Sequence, residues 1–186
     1  MSRSPEHAGG PARQARIRVA GPGDAAALMR LKQQLDEETS FMLLEPGERD
    51  PSVQKLAAHL EDAAGSANSV VLVAEDGGEL AGYVELIGGK ARRNRTTTHL
   101  VIGVLARASG RGVGSGLLRE AQRWAAGHGL HRIEFTVMAH NTRAIALYER
   151  MGFVTEGRSR ECLLVDGRFV DELRMAMLLP GPAKTT

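Results

Sequence analysis

The sequence predicts one α/β domain with a mixed central sheet of about seven strands and four helices, ordered β-α-α-β-β-β-α-β-α-β-β. Three observations predict it. Apolar residues switch repeatedly between strand period and helix period across residues 16–179. Two turn signals, "DGG" at 76–78 and Asp166-Gly167, each separate runs that read as strands. The chain has 186 residues, 42% hydrophobic and 25% charged, which suits a single unit with a buried core.

"RIRVA" (16–20) alternates as a first strand. A helix follows from about Pro22, with Ala26, Met29 and the set Leu28, Leu31 and Leu35 on one side. "ETSFMLLEPGERD" (38–50) is irregular and unusually apolar for a loop. A second helix spans Pro51–Ala64, with Val53, Leu56, Ala57 and Leu60 at helical spacing. "SVVLVAE" and "LAGYVELIG" form a hairpin, and "TTTHLVIGV" (96–104) is a further strand. The third helix keeps Val113, Leu117, Ala121, Trp124 and Ala125 on one face and stops at Gly127–Gly129. "HRIEFTV" is strand-like, "NTRAIALYERMGF" is a short helix closed by Gly152, and "RECLLVDGRFVDELRMAMLL" is a closing hairpin. No internal repeat is present.

Composition excludes several classes. A formal charge of +2 is too weak a basic field for a typical nucleic-acid binder. Only four of the 24 basic residues are lysines, which coding bias explains as well as phosphate recognition does. The single cysteine, Cys162, permits no intramolecular disulfide and reads as a packing residue. No metal site is evident. No run approaches the ~20 apolar residues of a membrane span, and the N-terminus has no signal-like apolar region, so the expected place is the cytoplasm. Residues 1–15 read as a disordered leader and 180–186 as a flexible tail, around a domain at 16–179.

One stretch opposes its own helix. "SGRGVGSGLL" (109–118) puts four glycines where a helix begins, although glycine costs roughly 1 kcal/mol against alanine inside one. Close approach of backbone amides to a phosphate is the usual compensating demand. A P-loop fails, since no lysine lies between Lys90 and Lys184, and the dinucleotide fingerprint breaks at Ser115 or Leu117. Glu134, 20 residues past Gly114, falls inside a strand rather than at its end.

A third pattern fits: a strand, a turn, then [Q/R]-x-x-G-x-[G/A] opening a helix, with Gly112 and Gly114 in the glycine positions. This resembles the pyrophosphate loop of the GNAT superfamily of acyl-CoA-dependent N-acetyltransferases. "NTRAIALYERMGF" resembles that family's second motif at Asn141, Ala144, Leu147, Tyr148, Gly152 and Phe153. The likeness covers roughly residues 16–179. Ser109 departs from the usual Gln or Arg, which implies weaker cofactor affinity, and Arg111 offers a replacement charge.

The resemblance implies acetyl-CoA as co-substrate, with Ser109, Gly110, Arg111, Gly112, Gly114 and Ser115 around the phosphates and Ile102, Gly103 and Val104 along the pantetheine arm. An N–H near Val104 would meet the thioester carbonyl, and Asn141 would cap its helix and touch the cofactor. Tyr148 would protonate the departing thiolate. The acceptor must shed a proton from an ammonium near pKa ~10. His99 on the strand before the loop suits such a base, and Glu85 on the preceding strand is the other candidate.

In the 38–50 loop and just before it, Glu37, Glu38 and Glu45 could hold a cationic amine and Phe41, Met42 and Leu43 an apolar wall. The same loop also reads as a packed connector or a homodimer contact. "KARRNR" (90–95) reads as a solvated turn. The implied partner is a small-molecule or peptide amine, with no nucleic acid and no membrane. A non-catalytic acyl-CoA-binding sensor is the alternative, left open by Ser109.

Overall fold

The computed structural model describes residues 15–180; the leader expected at 1–15 and the tail at 180–186 lie almost wholly outside them. The elements are β1 (Arg16–Val19), α1 (Ala25–Glu38), α2 (Val53–Ala64), β2 (Val70–Asp76), β3 (Glu79–Gly88), β4 (Thr97–Val104), α3 (Val113–Gly127), β5 (Arg132–Met138), α4 (Thr142–Arg150), β6 (Val154–Val165) and β7 (Arg168–Leu178). That is the expected order. Local chemistry sets the ends: Ser52 caps α2 by accepting from the Lys55 amide at 3.2 Å, and Asn141 Oδ1 caps α4 by accepting from the Ala144 amide at 3.2 Å.

The seven strands lie in one sheet, ordered β1-β2-β3-β4-β5-β7-β6. Every pairing is antiparallel except β4 with β5. That parallel pairing is short: only Thr97, Thr98 and His99 find partners, in Arg132, Ile133 and Glu134. β4 then stays with β3 up to Val104, and β5 stays with β7 up to Met138, so β4 and β5 part. The sheet is therefore slotted at its centre.

Each face has its own core. Leu72, Val84, Leu100, Leu117, Ile133 and Phe135 join α3 on one side. Leu28, Leu35, Leu60, Val73 and Tyr83 join α1 and α2 on the other. Fully burying each such side chain stabilises the fold by about 1.5–3 kcal/mol.

Three local expectations change. Ala26 faces solvent, and Ala25 takes its place on the packed side of α1. β6 starts at Val154, six residues before the expected hairpin, because "VTEGRSR" is an exposed edge with no apolar alternation to announce it. Cys162 is exposed rather than packed. It sits in an irregularity between Ser159 and Leu163, beside Glu161 at φ 51°, where the strand register breaks and the side chain is turned outward. "KARRNR" is an exposed turn, as expected.

Candidate active site

The slot between β4 and β5 leads directly into the glycine turn. Gly112 is the N-cap residue of α3 at φ 82°, a left-handed conformation that favours glycine, and Gly110 lies at φ 78°. No side chain caps the helix, and Gly116 is the first of its amides to find a backbone partner, the Gly112 carbonyl at 2.9 Å. The amides of Val113, Gly114 and Ser115 thus end the helix without intrahelical acceptors. With the helix dipole behind them, they form a concavity suited to an anion.

The glycines do not all serve that concavity. A Cβ on Gly114 would lie 3.2 Å from Leu147 Cδ2, and one on Gly116 would lie 2.8 Å from Ile17 Cδ1. Those two let α3 approach α4 and β1. Gly103 is likewise pressed from the α1 side, since a Cβ there would lie 2.5 Å from Leu35 Cδ1 and 3.0 Å from Tyr83 Cε1. Ser109 follows a short 3-10 turn, and Arg111 is held by Asp76 at 2.6 Å. Ile102 and Val104, half-buried, belong to the stretch of β4 without a β5 partner and pack against the core on the α3 side.

Across the slot, Tyr148 of α4 is 8% exposed. Its ring lies 4.4 Å from Phe135 on β5 and meets Phe153 edge-on. Burial alone pushes its phenol up to about 12, so it carries its proton throughout the neutral range.

The two expected base candidates share one face of the sheet. The β3–β4 register sets Glu85 opposite Val101 and Ile87 opposite His99, so Glu85 and His99 are diagonal neighbours. Their surroundings differ. His99 is exposed. Glu85 is buried, with Oε2 3.1 Å from Lys32 Nζ and Oε1 2.6 Å from His59 Nε2. Burial pushes its carboxyl up, but the Lys32 charge and the His59 contact outweigh it and hold the group below the usual carboxylate range.

Beyond the open end of the slot, the loop after α1 meets the β6–β7 hairpin around a cavity of about 410 Å³. Glu37, Met42, Leu43 and Glu45 line it from one side, and Leu164 and Asp166 from the other. Phe41 instead turns toward His140, at 5.2 Å between ring centroids. Glu38 is engaged by its neighbours: it accepts from the Ala106 amide at 2.8 Å and from Gln34 at 2.7 Å. The cavity lining contains five carboxylates and no basic side chain.

Residues 31–153 match the Acetyltransferase (GNAT) family. The chain belongs to that family. Among curated proteins it is 33% identical over 109 residues to the L-amino acid N-acetyltransferase AaaT of Escherichia coli K12, covering 56% of this chain and 65% of the relative, just under two thirds of its length. The solved GNAT acetyltransferase from Streptococcus pneumoniae superposes with a TM-score of 0.87 at 32% identity, over 90% of this chain and all of that one (100%). The spermidine N-acetyltransferase of Vibrio cholerae, solved with CoA and spermine, gives a TM-score of 0.72 at 27% identity, over 89% of this chain and 96% of that one.

Two features of this GNAT chain escape sequence reading. His59 lies 26 residues before Glu85 on α2, where a lone polar residue in a helix carries no signal of its partner. Arg49 clamps Asp36 through two bonds of 2.7 and 2.8 Å, fixing the end of the cavity loop to α1. An Asp and an Arg thirteen residues apart across a loop are too common a pattern to announce such a clamp. No helix among the described residues is long and apolar enough to cross a membrane.

Proposed function

We propose that the protein is an N-acetyltransferase that moves an acetyl group from acetyl-CoA to a primary amine by direct attack. The observation that carries this reading is the slot: β4 leaves β5 after His99 and delivers its open edge to an uncapped helix start. An extended pantetheine arm can complete such an edge as a strand would, and the amides of Val113, Gly114 and Ser115 suit its pyrophosphate. The residues present fit the co-substrate.

The thioester supplies an activated acyl carbon. As the amine forms its C–N bond and the C–S bond breaks, a β4 amide near Val104 stabilises charge on the carbonyl oxygen, and Tyr148 gives its proton to the leaving sulfur. We assign removal of the ammonium proton to His99, directly or through water. Glu85 already spends both oxygens on Lys32 and His59, and its lowered pKa makes it a weaker base.

The acceptor reading is a small cationic or amphipathic amine. A cavity with Glu37, Glu45 and Asp166 beside Met42 and Leu43 favours a second positive charge and an apolar stem, and it offers no cation to an amino-acid carboxylate. We place this activity in the cytoplasm. The test is thiol release from acetyl-CoA across a panel of diamines, polyamines, amino acids and short peptides. Turnover confined to amino acids would overturn the acceptor assignment. CoA binding without turnover on any amine would overturn the catalytic one.

A further inference from the structure

We infer that Arg143, rather than Arg111, supplies the side-chain charge that binds a phosphate group of coenzyme A. The inference rests on the coenzyme A reading above and concerns which residue completes that site. The amide concavity at the start of α3 brings partial positive charge but no side-chain cation, because Ser109 is neutral. Of the arginines around the turn, Arg107 is tied to Glu79 at 3.2 Å and Arg111 to Asp76 at 2.6 Å.

Arg143 is placed differently. It reaches the turn from α4, with Nη2 3.6 Å from where a Cβ on Gly110 would stand. It is exposed, and no carboxylate lies within ion-pair distance of it among the described residues. It is also the second residue of α4, in the first turn after the Asn141 cap. A cation there opposes the helix dipole and is locally unfavourable. The starts of α3 and α4 and the Arg143 guanidinium therefore bring positive potential together at one turn, where Asp76 and Glu79 are already engaged by Arg111 and Arg107. A phosphate seated on the α3 amides relieves that potential and gives the planar guanidinium a charge-assisted partner.

Calorimetry on the full chain tests this with three probes: coenzyme A, 3′-dephospho-coenzyme A and pantetheine. Arg143→Ala should weaken coenzyme A binding at least about tenfold, the lower end for a hydrogen bond to a charged group. Arg143→Lys should recover part of it, pantetheine should show no difference, and the deficit should shrink at high salt. Arg123→Ala, which removes an exposed charge paired with Glu120 elsewhere on α3, should bind as the wild type does. An equal deficit with the dephospho probe assigns Arg143 to the pyrophosphate, and a deficit seen only with coenzyme A assigns it to the 3′-phosphate. Wild-type affinity in Arg143→Ala overturns the inference and leaves the loop reading standing. Failure of the wild type to bind coenzyme A at all overturns both.

Discussion

Lys32 Nζ lies 3.1 Å from Glu85 Oε2, so an ammonium on α1 and a carboxylate on β3 are buried together between helix and sheet. The same ammonium stands 4.6 Å from the centre of the Tyr83 ring. Removing one member of such a pair strands the other. Lys32→Met should therefore cost about 3 kcal/mol or more, and far more than breaking an exposed pair such as Lys55–Asp50. Urea denaturation of the two variants, Lys32→Met and Lys55→Met, measures the contrast.

The same site sets an acid limit. Glu85 is held below the usual carboxylate range, so it contributes stability above its unfolded pKa of about 4.3 and loses it as pH falls through the folded value. Glu85→Gln should flatten that part of the stability profile below about pH 4.5 while lowering stability at pH 7. Melting curves from pH 3 to 7 read both. An unchanged acid slope would show that other carboxylates govern the limit.

Tyr148→Phe should reduce turnover by about a hundredfold or more, the range for a positioned general acid, and leave acetyl-CoA affinity nearly unchanged. Because burial pushes the phenol up to about 12, the wild-type rate should not fall through loss of this proton between pH 7 and 10. Wild-type turnover in the variant would mean the thiolate leaves unaided or through another acid.

Gly112 and Gly114 should fail in different ways. Nothing lies within 4 Å of a Cβ on Gly112, so Gly112→Val should fold, at a cost of about 1–2 kcal/mol for its left-handed backbone, and lose coenzyme A binding. Gly114→Val meets Leu147 and should lose mainly stability, by about 1–3 kcal/mol from overpacking. Melting temperature and calorimetric affinity, measured together, separate the two.

Arg49→Ala should leave the Asp36 carboxylate, whose side chain is 2% exposed, without its bidentate partner and cost about 3 kcal/mol. Limited proteolysis should then cut first between residues 39 and 50. An unaltered cleavage pattern would mean that the Glu38–Ala106 contact suffices to hold the loop.

Sequence periodicity carried the element order because each helix and strand core is a continuous apolar stripe: Leu117, Ala121 and Ala125 on α3 are all fully buried where a helical face places them. The two motifs also fall on either side of the candidate site, Gly112 at the start of α3 and Tyr148 on α4. Besides the Arg49–Asp36 clamp, three things stayed hidden, each for a physical reason. The early start of β6 is polar and exposed. The Glu85 triad joins three elements, so no local spacing encodes it. The separate roles of Gly112 and Gly114 depend on what stands opposite them, which the glycine pattern does not state.

The short β4–β5 seam has a mechanical meaning. Within the sheet itself only three residue pairs join a four-stranded lobe, β1 to β4, to a three-stranded one, β5, β7 and β6, while the core under α3 spans both. A ligand filling the slot would act as an eighth strand and staple the lobes along their whole shared border. Amide exchange should then slow on both sides at once, in Leu100–Val104 and in Phe135–Met138, although only one side carries the glycine turn.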